Sequence, residues 1–227
     1  MSNHLRLEVE KLKKQILGLS AVVEESVRQA VQAIQERDEQ LAHHVIDIDT
    51  EIDSSEVDLE EECLKVLALH QPVASDLRFI ISVLKINNDL ERIGDLAVNI
   101  AERALFVATH VPVEQPLDLT EMAEKTRRML RGSLDALVNS DSMLAYTVLR
   151  LDEQVDTLNR EMYDHVTAGI RQHPEEMETL LHLLSVSRYL ERIADHATNI
   201  AEDVIYLFHG EIVRHQLGSN SPERASN

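Results

Sequence analysis

Residues 90–102 read LERIGDLAVNIAE, and residues 190–202 read LERIADHATNIAE. The two stretches lie 100 positions apart and agree at 10 of 13 positions, differing only at Gly94/Ala194, Leu96/His196 and Val98/Thr198. A repeat at this period makes the chain a tandem duplication and sets its architecture before any local reading. Four of the repeated residues are polar: Glu91, Asp95, Asn99 and Glu102, matched by Glu191, Asp195, Asn199 and Glu202.

The duplication reaches further upstream. Asp38, Leu41 and Ala42 align with Asp141, Leu144 and Ala145 at an offset of 103, and Asp49, Ile52 and Asp53 with Asp152, Val155 and Asp156. Each half therefore carries the same plan of three helices. In the first, apolar residues recur at Leu5, Val9, Leu12, Ile16, Leu19, Val23, Val27, Ala30 and Ile34, with the three- and four-residue gaps of an amphipathic helix over 4–36. Asp38 reads as the N-cap of a helix running to about Leu69, and Pro72 suits the first turn of a third helix ending near Ala108. In the second half, helices are expected over about 119–139, from the Asp141 cap to about Arg171, and from Pro174, Glu175 and Glu176 to near Gly210. Short connections favour antiparallel neighbours.

The fold class expected is thus all-α: two tandem, internally duplicated three-helix bundles built from six long antiparallel helices. Residues 1–110 form the first bundle, 111–117 the linker with Pro112 and Pro116, 118–210 the second bundle, and 211–227 a tail without apolar pattern that reads as disordered.

Aromatic residues make up only 3% of the chain and Trp is absent, so the core must come from Leu, Ile, Val, Ala and Met. The net charge of −19 repels nucleic acid and anionic membrane surfaces. Lys11, Lys13 and Lys14 stand too near Glu8 and Glu10 to form a basic patch. No apolar run approaches the roughly 18 residues of a membrane span, and no leader-like segment opens the chain. These features point to a cytoplasmic protein that binds no nucleic acid and does not insert into the membrane. The single Cys63 excludes an intramolecular disulfide and lies in an apolar stripe with Leu59 and Val66, as a buried structural thiol does.

At about 100° per residue, Glu91, Asp95, Asn99 and Glu102 fall within roughly 80° of arc, opposite Ile93, Ala97 and Ile100. The middle helices carry acidic pairs at the same spacing, Asp49/Asp53 and Asp152/Asp156. Beyond them, Glu56 becomes Asn159 and Glu60 becomes Tyr163. Carboxylates four apart on a helix repel by a few tenths of a kcal/mol. Pairs on facing helices repel more, and a cation would offset the repulsion. Four carboxylates with amide oxygens nearby form an all-oxygen donor set suited to Mg, Mn, Ca or iron. In a chain with 41 acidic residues a single such pair is merely a solvated helix face, and Arg92 and Arg192 could pair with these acids instead. Recurrence in both halves favours a cation site. His196 lies off the carboxylate arc and reads as an interface or surface histidine. His43, His44, His70 and His173 sit near helix ends. No Glu-x-x-His accompanies the stripes, and no phosphate-binding loop or nucleophile elbow is present.

The twin L-E-R-I-x-D/A-x-N-I-A-E segments, with D-x-x-x-D on the preceding helices, resemble the PhoU family over residues 1 to about 210. The resemblance implies a homodimer that regulates phosphate homeostasis as an accessory to the phosphate ABC transporter. It also implies repression of phosphate-starvation (Pho regulon) signalling through a sensor histidine kinase and its response regulator, and peripheral association with membrane complexes through those partners. It further implies metal clusters of iron, manganese, magnesium or zinc. Their ligands would be Asp49, Asp53, Glu91 and Asp95 in one half and Asp152, Asp156, Glu191 and Asp195 in the other. Asn99, Asn199, Glu102 and Glu202 would stand in a second tier. Leu96 departs from the histidine at position 196, which makes the two sites unequal. A regulator, not an enzyme, is the expectation. A metal-dependent carboxylate enzyme, redox or phosphohydrolase, and a purely structural helical scaffold are the alternatives.

Overall fold

The structure, a computed structural model, describes residues 3–110, 112–113 and 118–209. Its helices are α1 (Asn3–Glu36), α2 (Glu39–His70), α3 (Ser75–Thr109), α4 (Thr120–Asn139), α5 (Ser142–Leu149), α6 (Asp152–Gln172) and α7 (Met177–His209). Among the described residues there is no strand, and no helix is long and apolar enough to cross a membrane. Of the expected linker only Pro112 and Val113 are described, and the expected tail 211–227 lies outside the described residues.

The two aspartates read as caps act as caps. Asp38 accepts a hydrogen bond from Leu41 N and Asp141 from Leu144 N, each at 3.0 Å. Each turn is entered through a left-handed residue, Arg37 (φ 56°) or Ser140 (φ 55°). The α1 stripe is buried along its whole length, from Leu5 to Ile34. Pro174 opens a short 3-10 turn, Pro174–Glu176, that leads into α7.

Two details depart from the sequence reading. Pro72 lies in the turn before α3, which starts at Ser75. Gln71 (φ 44°) and Ala74 (φ 50°) both turn left-handed there, so the chain must reverse before an α-helix can restart. The middle helix of the second half is interrupted at Arg150 and Leu151. There Leu151 N bonds Val148 O at 2.9 Å and Gln154 N bonds Leu151 O at 3.0 Å, a local i→i+3 tightening. The inward face survives the break, because Ala145, Val148, Val155, Met162 and Val166 all remain buried.

Helices α1, α2 and α3 pack on one another, and α4 to α7 form the second group. Between the groups α3 and α7 run antiparallel. Lys85 Nζ meets Asp203 Oδ1 at 3.0 Å, His196 Nδ1 meets Asp89 Oδ1 at 2.8 Å, and Arg103 Nη1 lies 3.4 Å from His182 Nδ1. These pairings centre the crossing on Ile93 and Ile193, both fully buried.

One difference between the repeats records how closely the halves are packed. A Cβ on Gly94 would stand 3.2 Å from Ile52 Cγ2 and 3.3 Å from Ile52 Cδ1. The second half has Ala194 as the repeat counterpart of Gly94 and the smaller Val155 as that of Ile52, so a methyl added on one helix is removed from the other. Gly94→Ala is therefore expected to lose about 1 kcal/mol, overpacking of about 2 against a helix-propensity gain of about 1. Ile52→Val alone loses about 1 kcal/mol. The double variant should unfold in urea close to wild type, and simple additivity of the two losses would refute this packing account.

Candidate functional site

Along the antiparallel α2–α3 pair, Asp49, Asp53 and Glu56 descend one helix while Asp95, Glu91 and Asn87 ascend the other. The charges felt at each group follow that ladder. Burial pushes Asp49 above the ordinary carboxylate range, helped by Asp53 and then Asp95. Burial likewise raises Glu91, with Asp95 adding to it and Arg92 opposing. The second half repeats the arrangement. Asp152 is pushed up to about 6 by burial, then by Asp156 and Asp195. Glu191 is raised by burial, then by Asp156 and Asp152. Asp195 is pushed up to about 6 by burial and Glu191. Its side chain nevertheless reaches solvent, which screens those charges. Asp152 is thus the group expected to hold a proton nearest neutral pH.

The eight carboxylates expected from the sequence therefore lie along two helix pairs, four to each pair, near enough to raise one another's affinity for protons. At the inner edge of each lies an unmet oxygen. Asp49 Oδ1 and Asp152 Oδ1 are buried and accept no hydrogen bond. Asp49 Oδ1 would also be 3.6 Å from a Cβ on Gly94, so α2 and α3 approach closely at that point. A buried carboxylate oxygen without a donor is costly and calls for a proton or a cation. The donors are hard oxygens, and the residues present fit a hard divalent cation or iron.

The clusters are not closed cages. Among the described residues no three His, Cys, Asp or Glu side chains converge in metal-binding geometry. An ion here would take one or two carboxylates and complete its shell with water, as Mg²⁺ commonly does. In the first half Arg92 leans over the acids, with Nε 3.4 Å from Glu91 Oε2 and Nη1 3.6 Å from Asp95 Oδ2. These are long, exposed contacts of little strength.

The second-tier residues do not join the clusters. Asn99 Nδ2 donates to Asp95 O of its own helix at 2.8 Å. Asn199 Nδ2 donates to Asp89 Oδ1 across the α3–α7 contact at 3.2 Å. Glu102 stands beside Arg103, 3.5 Å from its Nη2. Glu202 lines a groove of about 650 Å³ between α3 and α7 with Lys85, Asn88 and Asp89. From Glu91 to Glu102 the stripe runs roughly 16 Å along the helix, too far for one ion to gather. His196 is an interface histidine, paired with buried Asp89. Cys63 is buried, its thiol pushed up to about 12 by that burial. His43 and His44 are exposed, whereas His70 and His173 are half-buried. Asp89 and Asn87 carry polar contacts that the sequence reading missed. Their only signal was a polar residue on an otherwise apolar face of α3.

The raised Asp152 fixes a pH dependence. Its folded value, about 6, lies above its ordinary 3.8, so the native state holds the proton more tightly. Its contribution favours folding at low pH and is lost as pH rises between those two values. In divalent-free buffer at pH 7, Asp152→Asn should be stabilised by about 1 kcal/mol after discounting for solvent screening, or 2–4 °C in Tm. The gain should vanish near pH 4. A variant that melts below wild type at pH 7 would contradict this assignment.

The chain matches the PhoU domain twice, over residues 16–104 and 119–204. A PhoU homolog of Aquifex aeolicus, named a phosphate-specific transport system accessory protein, is 39% identical over 209 residues, 92% of this chain and 95% of its own length. A homolog of the same name from Pseudomonas putida is 37% identical, over 95% of this chain and 84% of its own. The crystal structure of PhoU from Pseudomonas aeruginosa superposes with a TM-score of 0.88 at 36% identity, covering 91% of this chain and 99% of that one. The phosphate transport system regulatory protein PhoU from Streptococcus pneumoniae superposes with a TM-score of 0.84 at 31% identity, covering 92% and 99%. Both halves, their order and the helical architecture agree with these proteins, and the chain belongs to the PhoU family.

Proposed function

We propose that this protein is a non-enzymatic accessory regulator of phosphate transport that restrains phosphate uptake and represses the phosphate-starvation response. It would act at the cytoplasmic face as a homodimer, on the phosphate ABC transporter and on a sensor histidine kinase with its response regulator. The observation that carries this reading is the match, along both halves, to relatives named as phosphate-transport accessory proteins. The sequence supports a regulator over an enzyme, because no nucleophile–base pattern accompanies the acidic stripes. The net charge of −19 suits basic protein partners and disfavours nucleic acid.

The twin carboxylate clusters give the regulator a cation-dependent feature. Asp49, Asp53, Glu91 and Asp95 in one half, and Asp152, Asp156, Glu191 and Asp195 in the other, would hold Mn²⁺, Mg²⁺ or iron. The bound charge would relieve repulsion across α2–α3 and α6–α7 and tighten both pairs. Deletion of the gene in its host tests the regulatory role. A phosphate-starvation reporter should become constitutive in high phosphate, and the wild-type chain should restore repression. Normal repression in the deletion strain would refute the reading.

A further inference from the structure

The duplication repeats a groove as well as helices. Ile34, Gln35, Val107, Leu119 and Thr179 line one groove. Their repeat counterparts Leu137, Val138, Leu207, Ile16 and Phe79 line a second, of about 180 Å³. Both are junctions of α1, α3, α4 and α7, with the two halves exchanged.

The first groove is covered by the chain itself. Past the end of α3 at Thr109, Pro112 and Val113 lie along it, and Val113 is buried in the common core. Arg37 clasps the start of this path, its guanidinium donating to Val107 O and His110 O. Among the described residues no segment plays that part at the second groove. Val138 and Phe208, which line it, are 52% and 40% exposed. It is also the more apolar of the two, with Val138 in place of Gln35 and Phe79 in place of Thr179. Contiguous exposed apolar surface of this kind marks a docking place.

The sequence supplies an occupant. Helix α7 ends at His209, the counterpart of Thr109, and the chain continues through Gly210 and Glu211 to Ile212 and Val213. Val213 is the counterpart of Val113, each four residues past its helix, and Ile212 replaces Pro112. Four residues of extended chain reach roughly 13 Å, and the groove wall at Leu207 and Phe208 adjoins the helix end. An extended strap needs no helical period, so the absence of one beyond residue 210 does not count against it.

We propose that Ile212 and Val213 dock in this second groove and strap the end of α7 against α1, α3 and α4, as Val113 does for α3 in the first half. Ser140 stands where Arg37 clasps the first strap, so the second rests on apolar burial.

Limited trypsin digestion of the full-length chain tests the strap. Cleavage after Arg214 is read by intact mass, with cleavage after Arg224 as the internal control. Ile212→Ser/Val213→Ser should speed cleavage after Arg214 about ten-fold and leave Arg224 unchanged, because cutting tracks the population of the open form. Val138→Glu, at an exposed position that accepts a charge without unfolding the bundle, should do the same from the groove side. Equal rates after Arg214 in all three proteins would overturn the strap and leave the groove to another partner. A response to the Ile212 and Val213 substitutions alone would place their docking elsewhere and overturn the assignment. Protection of Arg214 that grows with protein concentration would put a second copy in the groove and overturn it as well.

Discussion

In divalent-free buffer, the Glu91→Ala/Asp95→Ala/Glu191→Ala/Asp195→Ala variant is expected to melt above wild type, and in saturating Mn²⁺ below it. The first half of this inversion follows from electrostatics. Glu91 and Glu191 are raised by burial and by neighbouring acids, and Asp49 and Asp152 lose their facing charges when the four residues go. Relief of this repulsion is worth about 1 kcal/mol after screening, against a loss of a few tenths from the Arg92 contacts. The second half of the inversion is mass action. An ion that binds only the folded state adds about 2.7 kcal/mol at a concentration 100 times its Kd. The variant has lost the binding residues and gains nothing. Its affinity should fall by at least about 100-fold. Equal stabilisation of both proteins by Mn²⁺ would show that the ion binds elsewhere.

The second large effect is structural. Asp89 is 8% exposed and accepts from His196 Nδ1 at 2.8 Å and Asn199 Nδ2 at 3.2 Å. His196→Leu leaves a buried carboxylate with one amide donor. Breaking a buried pair in this way costs about 3–5 kcal/mol, and about 2–3 here because the imidazole is partly open. For a chain of this size the loss is roughly 4–12 °C in Tm. The first half has Leu96 in place of His196, and Tyr189 is the repeat counterpart of Asp89. The His196→Leu/Asp89→Tyr double variant should therefore recover most of the stability. A single variant with wild-type Tm would remove the pair from any role in joining the halves.

Much of the architecture was legible because it rests on local signals. Asp38 and Asp141 cap their helices, the α1 stripe from Leu5 to Ile34 turns inward, and the repeats carry the same plan. Pro72 misled because proline suits a helix start, whereas the left-handed Gln71 and Ala74 delay α3 to Ser75. Within the clusters, a helical wheel places Glu91, Asp95, Asn99 and Glu102 on one face but does not say which neighbour covers each part of it. Asn199 and Glu202 turn toward α3 because α7 is bounded by the first half as well as by its own bundle. The Asp89–His196 contact depends on the antiparallel register of α3 and α7, which joins residues 107 positions apart. No local pattern encodes that distance.

The most direct measurement is a calorimetric titration of Mn²⁺ into the chelator-stripped full-length protein, run beside the four-alanine variant. Saturable binding with a Kd of roughly millimolar or tighter, lost in the variant, is the predicted result. Binding that is absent from wild type, or unchanged when Glu91, Asp95, Glu191 and Asp195 are gone, would contradict the assignment of these twin carboxylate faces as cation sites.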